Sequence, residues 1–408
     1  MRILMVAPQL PHAAAHNAGA LVMHAQLMAL SERHQVTLAT FAGRDSSEGE
    51  AISALRARGI TVHALWLSEP AGFRRGLRRW HLLSRWLLAG RPLAVLQSEC
   101  AAMQTLLDHL TATQQFDVLL VEYHLMATYR YPLGLPSILT EHEVGLIPAH
   151  EARERPGNLL RRLLRDTEWQ RWLRYERGVW SRFDRIQVFS GRDQSAIRLV
   201  APEIMGRVRV NPLGVALPPA ADDAPVEPHT VVFVGWFAHP PNVDAALWLG
   251  HEIMPRLRVL HPEARLLIVG ARPTAEMQAL ACEYIAITGR VPLVEPYLER
   301  AAVAVAPLRL GGGMRVKVLQ ALALGKAVVA TPIAAEGLAR VEGDLPLRLG
   351  NDADELANAL AELLACAEER DGLGRRARAF VERYHSAEAY VQRLEATIAE
   401  IAPTPTAR

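Results

Sequence analysis

The 408-residue sequence has only three cysteines and two lysines, Lys317 and Lys326, and it has no long apolar run. Cys100, Cys282 and Cys366 are too far apart to predict a disulfide framework, a zinc site or a CxxC redox centre. No apolar stretch approaches the ~18 residues that cross a bilayer, and residues 1–8 are too short an apolar run for a secretory signal. We therefore expect a cytoplasmic protein, kept in a reducing compartment.

The composition is that of a soluble globular protein, with 50% hydrophobic and 22% charged residues. A single hydrophobic core stops growing near ~250–300 residues, so this length predicts two domains. Charge is spread unevenly, since residues 1–200 hold 24 arginines against 18 acidic residues, although the whole chain carries only +2. The first half is therefore expected to favour an anionic partner.

Short apolar, β-branched runs alternate with longer helical stretches, which is typical of α/β domains with parallel sheets. Six predicted strands lie in the first half: Arg2–Ala7, Gln35–Thr40, Ile60–Trp66, Asp117–Val121, Ser137–Thr140 and Arg185–Phe189. Five lie in the second half: Thr230–Gly235, Arg265–Val269, Ile285–Thr288, Ala302–Ala306 and Ala327–Ala330. The pattern predicts two Rossmann-like, doubly wound parallel-sheet domains that face each other across a cleft.

We predict a first domain over residues 1–205 on the acceptor side and a second over residues 206–385. Residues 211–228 are rich in Pro, Ala and Asp and have the character of a linker. Residues 386–408 are predicted to form a C-terminal helix, packing back on the first domain, and a tail. In such folds ligands bind outside the carboxyl ends of the strands.

The most informative segment is the glycine-rich stretch 307–326, which follows a predicted strand and opens a helix. Three consecutive glycines, Gly311–Gly313, leave backbone N–H groups uncovered beside the positive end of the helix dipole, which suits phosphate. Arg315 and Lys317 add positive charge. The G-K-[ST] ending of a P-loop is absent. The other interpretation is a flexible turn with solvated charges; the coincidence of glycines, helix start and cations favours anion binding.

This stretch, together with Ala327–Pro332 and Glu336–Leu338, resembles the signature of retaining glycosyltransferases of the GT-B fold, group 1 (family 4). Further matching pieces lie at Phe233–Gly235, Pro241–Ala245, Leu267–Gly270, Thr288–Val291 and Pro296–Leu298. In the first half the resemblance rests on Gly19, Glu141–Glu143 and Arg174–Glu176 before Trp180.

The resemblance implies that the second domain binds a nucleotide-sugar donor, which is a substrate, so that no separate cofactor is expected. It assigns Gly289, Arg290 and Val291 to the nucleobase. It assigns the amides of Gly312, Gly313 and Met314, with Arg315 and Lys317, to the diphosphate. Gly235 and Gly311 belong to the same donor-side motifs. Gly19 would let the backbone approach the diphosphate, and His142 matches a histidine near the transferred sugar.

Two departures from the family's pattern concern the donor. The family's pair of glutamates falls here on Gly312 and Gln320. Gln320 can still accept from ribose hydroxyls but carries no charge, whereas Gly312 cannot contact the sugar. The family's Arg and Lys after the first strand of this domain are replaced by Trp236 and Phe237, so Arg315 and Lys317 are expected to supply that charge.

Other candidates lie at predicted strand ends of the first half. His142 stands between two glutamates after a strand, where either a surface loop or a cleft residue fits. His12, in the loop after the first strand, is a candidate to contact donor or acceptor, and His16 shares that loop. Glu122 ends another strand and is predicted to line the acceptor side. No Asp-x-Asp stands at a strand end, so no metal is predicted.

The basic stretch 73–91 carries interleaved aromatic residues. One interpretation is a surface helix on anionic lipid, at the inner face of the membrane. The other is an ordinary amphipathic helix that packs Leu77, Trp80, Leu83 and Leu87 inward. No nucleic-acid recognition motif accompanies the stretch, so nucleic-acid binding is not predicted.

Together these features predict a metal-independent, retaining glycosyltransferase with a nucleotide-sugar donor and an acceptor held by the first domain. Two alternatives stay open. One is a catalytically degenerate family member that binds a nucleotide-sugar or a partner without turnover, which Gln320 would favour. The other is a nucleotide-sugar epimerase, which would need carboxylates to move a proton.

Overall fold

The computed structural model describes residues 1–13, 15, 17–43, 47–67, 82, 84–154, 158–218, 225–310, 316–338 and 345–402. The chain forms two compact units. Unit 1 comprises residues 1–15, 19–211 and 391–408, and unit 2 comprises residues 16–18 and 212–390. Apart from the short segment 16–18, the chain passes from one unit to the other near residue 211 and again near residue 391.

Unit 1 is built on a parallel sheet of seven strands in the order β3-β2-β1-β4-β5-β6-β7. The strands are β1 Arg2–Ala7, β2 Gln35–Ala42, β3 Thr61–Trp66, β4 Val118–Glu122, β5 Ser137–Glu141, β6 Arg185–Val188 and β7 Val208–Val210. The strand order reverses between β1 and β4. In sheets of this kind ligands bind at the carboxyl edge near that reversal.

The helices of unit 1 cover the buried strands, and nearly every residue of β1 and β4 is inaccessible to water. They are α1 Ala18–Ser31, α2 Glu48–Ala57, α3 Leu93–Ser98, α4 Ala101–Thr113, α5 Leu146–Glu154, α6 Leu159–Trp180 and α7 Gly191–Val200. Short 3₁₀ turns span Met126–Thr128 and Pro202–Arg207, and residues 84–89 are also helical.

Unit 2 contains a parallel sheet of six strands in the order β10-β9-β8-β11-β12-β13. The strands are β8 Glu227–Val234, β9 Arg265–Val269, β10 Ile285–Ile287, β11 Ala301–Ala306, β12 Ala327–Ala330 and β13 Arg348–Leu349. The order reverses between β8 and β11, so both units have the doubly wound topology predicted from the sequence.

The helices of unit 2 begin with α8 Pro240–Trp248, which continues through a π-helical segment, Leu249–Ile253, into α9 Met254–Leu260. The others are α10 Ala275–Gln278, α11 Glu295–Arg300, α12 Val316–Ala323, α13 Pro332–Ala335, α14 Ala353–Ala365, α15 Ala367–Tyr384 and α16 Ala387–Ala399. The final helix, α16, contributes residues 387–390 to unit 2 and residues 391–399 to unit 1.

Polar contacts attach the second half of α16 to unit 1. Glu395 pairs with His34 at 2.7 Å and with Arg33 at 3.0 Å. Arg393 donates from Nε to Asn211 Oδ1 at 2.7 Å. Beyond the helix, Glu400 pairs with two arginines, and these contacts hold its pKa at about 2.

The predicted inward packing of Leu87 is wrong, because its side chain is 63% exposed. Trp86 is the residue that turns inward: it stacks on the Arg171 guanidinium at 3.9 Å and donates from Nε1 to Glu168 at 2.6 Å. The remaining residues of that interpretation, Leu77, Trp80 and Leu83, lie outside the described part of the chain. Among the described residues, no helix has the length and apolar character to cross a membrane.

Candidate functional site

Glu122 and His142 meet at the carboxyl edge of the first sheet, because β4 and β5 are parallel neighbours. His142 Nε2 lies 2.7 Å from Glu122 Oε2, and both side chains are almost fully buried. The other oxygen of Glu122 accepts from Gln26 Nε2 at 3.2 Å. A carboxylate can only accept, so His142 donates from Nε2. Its Nδ1 is buried and finds no hydrogen-bond partner in the described structure, so it is available to a ligand group.

Tyr123 fixes the His142 ring from one face. The two rings stack with centroids 3.8 Å apart and planes 7° apart, and Phe189 meets the imidazole edge-on at 5.1 Å. Tyr123 adopts a φ of 68°, a left-handed conformation that is costly for a residue with a side chain. Burial and the neighbouring Glu122 carboxylate raise the pKa of its phenol, which stays protonated. Strain of this kind is concentrated at functional sites.

The Tyr123 side chain leaves no room for a side chain at Gly19, which lies in the first turn of α1. A Cβ atom at position 19 would lie 1.8 Å from the Tyr123 hydroxyl oxygen and 3.4 Å from the Gln9 side chain. The sequence predicted Gly19 for a different reason, close backbone approach to a diphosphate. The structure adds a steric reason within unit 1, since any larger residue must displace the ring that stacks on His142.

A second buried network lies behind this pair. His124 Nδ1 contacts Glu141 Oε2 at 2.9 Å, and the other Glu141 oxygen accepts from Trp180 Nε1 at 2.7 Å. Glu176 accepts from the amides of Gly145 and Leu146 at 2.6 and 3.2 Å. These groups hold the loop after β5 in place. The family-like pieces Glu141–Glu143 and Arg174–Glu176, distant in sequence, are therefore parts of one hydrogen-bonded cluster.

The charged groups of this network shift one another's pKa values. Burial lowers the pKa of His124, but the contact with Glu141 and the nearby Glu176 outweigh it and raise that pKa to about 8. Burial, reinforced by Glu141, raises the pKa of Glu176. Ligand atoms of all three residues lie within 4.8 Å of one another, a spacing that a metal ion could bridge. The Glu141 and Glu176 oxygens already accept from Trp180, His124 and two amides, so the cluster is better suited to share a proton.

His12 is buried, with 6% of its surface exposed, in the loop after β1. Together with the burial of His24, it lowers the pKa of that neighbouring histidine. Glu122, predicted to line the acceptor side, is instead fully buried against His142 and Gln26. Gln26, which donates to Glu122, was not predicted as a site residue. The signal for it was a polar residue in an otherwise apolar stretch of α1.

In unit 2, Lys317 lies in the first turn of α12 and reaches towards the carboxyl end of β8. Its Nζ is 2.5 Å from Asn242 Oδ1 and 5.0 Å from the centre of the Phe233 ring. Asn242, which the sequence analysis did not assign a role, donates in turn to the Trp236 carbonyl oxygen at 2.8 Å. Gln320, half-buried, follows Lys317 after one helical turn, so the two side chains share a helix face.

Three glycines come together at the carboxyl ends of β8, β9 and β10. The Gly235 amide donates to the Val269 carbonyl oxygen at 3.0 Å, and the Gly270 amide donates to that of Gly289 at 3.2 Å. Gly270 has a φ of +145°, and a Cβ there would lie 1.8 Å from the Gly235 carbonyl oxygen. Arg290 and Val291 follow at this edge, Arg290 exposed and Val291 half-buried.

Several predicted residues lie outside the described part of the chain. They are Gly311, Gly312, Gly313, Met314 and Arg315 of the glycine-rich stretch, His16, and residues 73–81 and 83 of the basic stretch. Arg309, just before the glycines, is described. It forms a two-point contact with Asp244, at 2.7 and 3.1 Å, which raises its pKa.

Comparison with known proteins gives this geometry a context. Residues 228–366 match the family model of glycosyl transferases group 1. Unit 2 carries a group 1 glycosyltransferase domain. The matched range contains Lys317, Gln320 and the three glycines of this edge. The chain matches no curated protein sequence.

Solved structures extend the similarity to both units. Sucrose-phosphate synthase from Thermosynechococcus elongatus aligns with a TM-score of 0.68 at 16% identity, covering 98% of each chain. Anabaena HepE in complex with UDP and glucose aligns at 0.63 and 14% identity, covering 98% of this chain and 100% of HepE. Trehalose-6-phosphate synthase OtsA aligns at 0.64 and 13%, covering 99% and 100%. The chain therefore has a GT-B-like fold, as predicted.

Proposed function

We propose that this protein transfers a sugar from a nucleotide-sugar donor to an acceptor, with retention of anomeric configuration and without a metal ion. The observation that carries the proposal is the position of Lys317, Gln320 and Gly289 inside the group 1 domain, at the carboxyl edge of its sheet. The HepE structures contain UDP, with glucose or as UDP-glucose, which makes uridine nucleotides the first donors to test.

In the proposed reaction the bond between the anomeric carbon and the diphosphate oxygen breaks, and the acceptor hydroxyl oxygen bonds to that carbon. The acceptor's proton passes to the leaving phosphate on the same face of the sugar, which retains the configuration. Negative charge grows on the leaving oxygen, and fixed amides and cations lower the energy of that state. We assign this role to Lys317, Arg315 and the amides of Gly312, Gly313 and Met314. Arg290 and Val291, with Gly289, would hold the nucleobase.

We assign His142 to the transferred sugar. Its buried Nδ1 lacks a protein partner in the described structure, and donation from Nε2 to Glu122 leaves Nδ1 as an acceptor for a sugar hydroxyl. Tyr123 and Phe189 confine the ring. Glu122 acts through His142 and does not itself reach the solvent.

The experiment is a thermal-shift screen with UDP, GDP, dTDP and ADP and their common sugar conjugates, followed by an assay for release of the nucleoside diphosphate. Binding by one base family raises the melting temperature. NMR of the product would show retention, and added chelator would leave the rate unchanged. Binding without turnover would replace the proposal by the degenerate alternative, and donor interconversion without an acceptor would replace it by the epimerase.

We also propose that unit 1 associates peripherally with anionic lipid. Leu87 and Leu88 are 63% and 87% exposed, within the basic stretch 73–91. The start of α6 exposes four more leucines (Leu159, Leu160, Leu163 and Leu164), interleaved with arginines. Exposed leucine with arginine suits a lipid interface. Replacing Leu87 and Leu88 by Glu should reduce co-sedimentation with anionic vesicles; unchanged sedimentation would contradict this proposal.

A further inference from the structure

A surface pocket of about 280 Å³ lies in unit 1, and neither Glu122 nor His142 is among its described lining residues. Its wall is formed by the second half of α6, the 3₁₀ turn after β4 and the segment before α3. The described residues that line it are Gly90, Arg91, Ala127, Thr128, Arg174, Tyr175, Gly178, Val179 and Arg182. Neither the proposed transfer reaction nor the family resemblance assigns it a ligand.

Three arginines, Arg91, Arg174 and Arg182, line this pocket, and none of its described lining residues is acidic. Arg174 donates to the Gln170 carbonyl oxygen at 3.3 Å, and Arg182 donates to that of Ala127. These acceptors are neutral, and among the described residues no carboxylate pairs with either guanidinium. Arg91 pairs with Glu99 at 2.6 Å, but Glu99 is shared with another arginine, Arg85. Like charges held together repel, and an anion in the pocket would relieve that repulsion.

Gly178 supplies a second observation. It stands in the interior of α6, where glycine costs about 1 kcal/mol relative to alanine. A Cβ at this position would meet nothing within 4 Å, so no neighbouring atom requires the glycine. Because Gly178 has no side chain, it leaves the pocket surface open between Arg174 and Arg182. The pocket volume is close to the lower end of the ~300–1,000 Å³ range of small-molecule sites.

We propose that the pocket formed by Arg91, Arg174 and Arg182 binds the phosphate group of a second ligand, distinct from the sugar donor. A guanidinium presents two parallel N–H groups to phosphate oxygens, and three of them match a phosphate monoester. Tyr175 also lines the pocket and donates to the His124 carbonyl oxygen at 2.7 Å. An occupied pocket would thus contact the residue that leads into the buried His124–Glu141 network.

The test is calorimetric titration of the full-length protein with inorganic phosphate and with glycerol 3-phosphate. Arg174→Gln combined with Arg182→Gln should weaken binding at least tenfold. Arg177→Gln is the matched control: Arg177 lies on the same helix but outside the pocket, paired with Glu203 at 3.1 Å, and its loss should change affinity by less than twofold. In the described structure the Arg174 side chain donates to its own helix, at the Gln170 carbonyl oxygen. Arg174→Gln alone should therefore give a folded variant even if the Arg182 change destabilises unit 1.

A Lys317→Ala variant separates this pocket from the proposed diphosphate site, because phosphate binding should survive that change. Vesicles of phosphatidylcholine with and without phosphatidic acid distinguish the sources of the phosphate. If the double variant of Arg174 and Arg182 loses binding to phosphatidic acid vesicles, the phosphate belongs to a lipid headgroup. If it loses only glycerol 3-phosphate binding, the ligand is a soluble phosphate ester. Absence of binding by every probe, or equal losses in the Arg177→Gln control, would overturn the proposal.

Discussion

Glu122 Oε2 accepts a hydrogen bond from His142 Nε2 at 2.7 Å, and this contact determines which imidazole nitrogen faces the site. In Glu122→Gln the amide carbonyl keeps the position that accepts from Gln26 Nε2, so the amide NH₂ faces His142 and the imidazole proton should move to Nδ1. We expect kcat to fall on the order of 10–100-fold, as for loss of the partner that orients a metal-bound histidine. Nitrogen NMR of the histidine ring would report the tautomer directly.

Glu122→Asp is the control for this change, because it keeps an acceptor and should restore the Nε2-protonated tautomer. A Gln variant with the original tautomer and a reduced rate would show that Glu122 acts only by supporting the fold.

Gly19→Ala tests the contact with Tyr123. The new Cβ would lie 1.8 Å from the Tyr123 hydroxyl oxygen, so the ring must move away from His142 and turnover should fall sharply. Tyr123→Phe removes that oxygen, after which the nearest ring atom lies 3.1 Å from the Cβ. The double variant should therefore recover the melting temperature of Tyr123→Phe. If stability recovers but turnover does not, Gly19 is required for donor approach.

Lys317→Ala should weaken nucleoside diphosphate binding by about 1.5–3 kcal/mol, as for loss of a charged hydrogen bond. Titration calorimetry measures the change. Lys326, the other lysine of the chain, provides the control: its Nζ donates to the Glu299 carbonyl oxygen at 2.5 Å, and burial lowers its pKa. Lys326→Met should lower the melting temperature and leave affinity intact. Equal affinity of Lys317→Ala and the parent would disprove the diphosphate assignment.

The unfolding free energy should fall as pH rises from about 6.5 to 9. Glu141 and Glu176 raise the pKa of His124 to about 8, above the ~6.5 of an unfolded histidine. Its stabilising contribution, about 2 kcal/mol, is therefore complete below the unfolded pKa and is lost as pH rises through 8. Glu176, whose pKa burial also raises, acts in the same direction.

Denaturant titrations across this range provide the measurement. His124→Asn keeps a donor near the Nδ1 position without titrating, so the slope should decrease to the part that Glu176 contributes. His63→Asn should not, because burial lowers the pKa of His63 and it titrates below the window. A parent protein with constant stability from pH 6.5 to 9 would contradict this account of the network.

Hydrophobic pattern sufficed to predict eleven of the strands, because each is a buried β-branched or apolar run bounded by glycine, proline or polar residues. It missed β7 and β13, of three and two residues, since such short strands carry no periodic signal. Family motifs placed His142 and Lys317 in candidate roles. The sequence could not show that His142 contacts Glu122, that Glu122 contacts Gln26, or that Lys317 contacts Asn242. These contacts join positions 20 to 96 residues apart.

The shared helix α16 constrains how such a protein can be recombined. Because residues 387–390 pack with unit 2 and residues 391–399 with unit 1, a single crossover near Pro212 would not transfer either unit whole. It would separate Glu395 from His34, and Arg393 from Asn211. An exchange of unit 2 between two proteins of this fold therefore needs a second junction inside the last helix. The residues that contact His34 and Asn211 must then come from the parent that supplies unit 1.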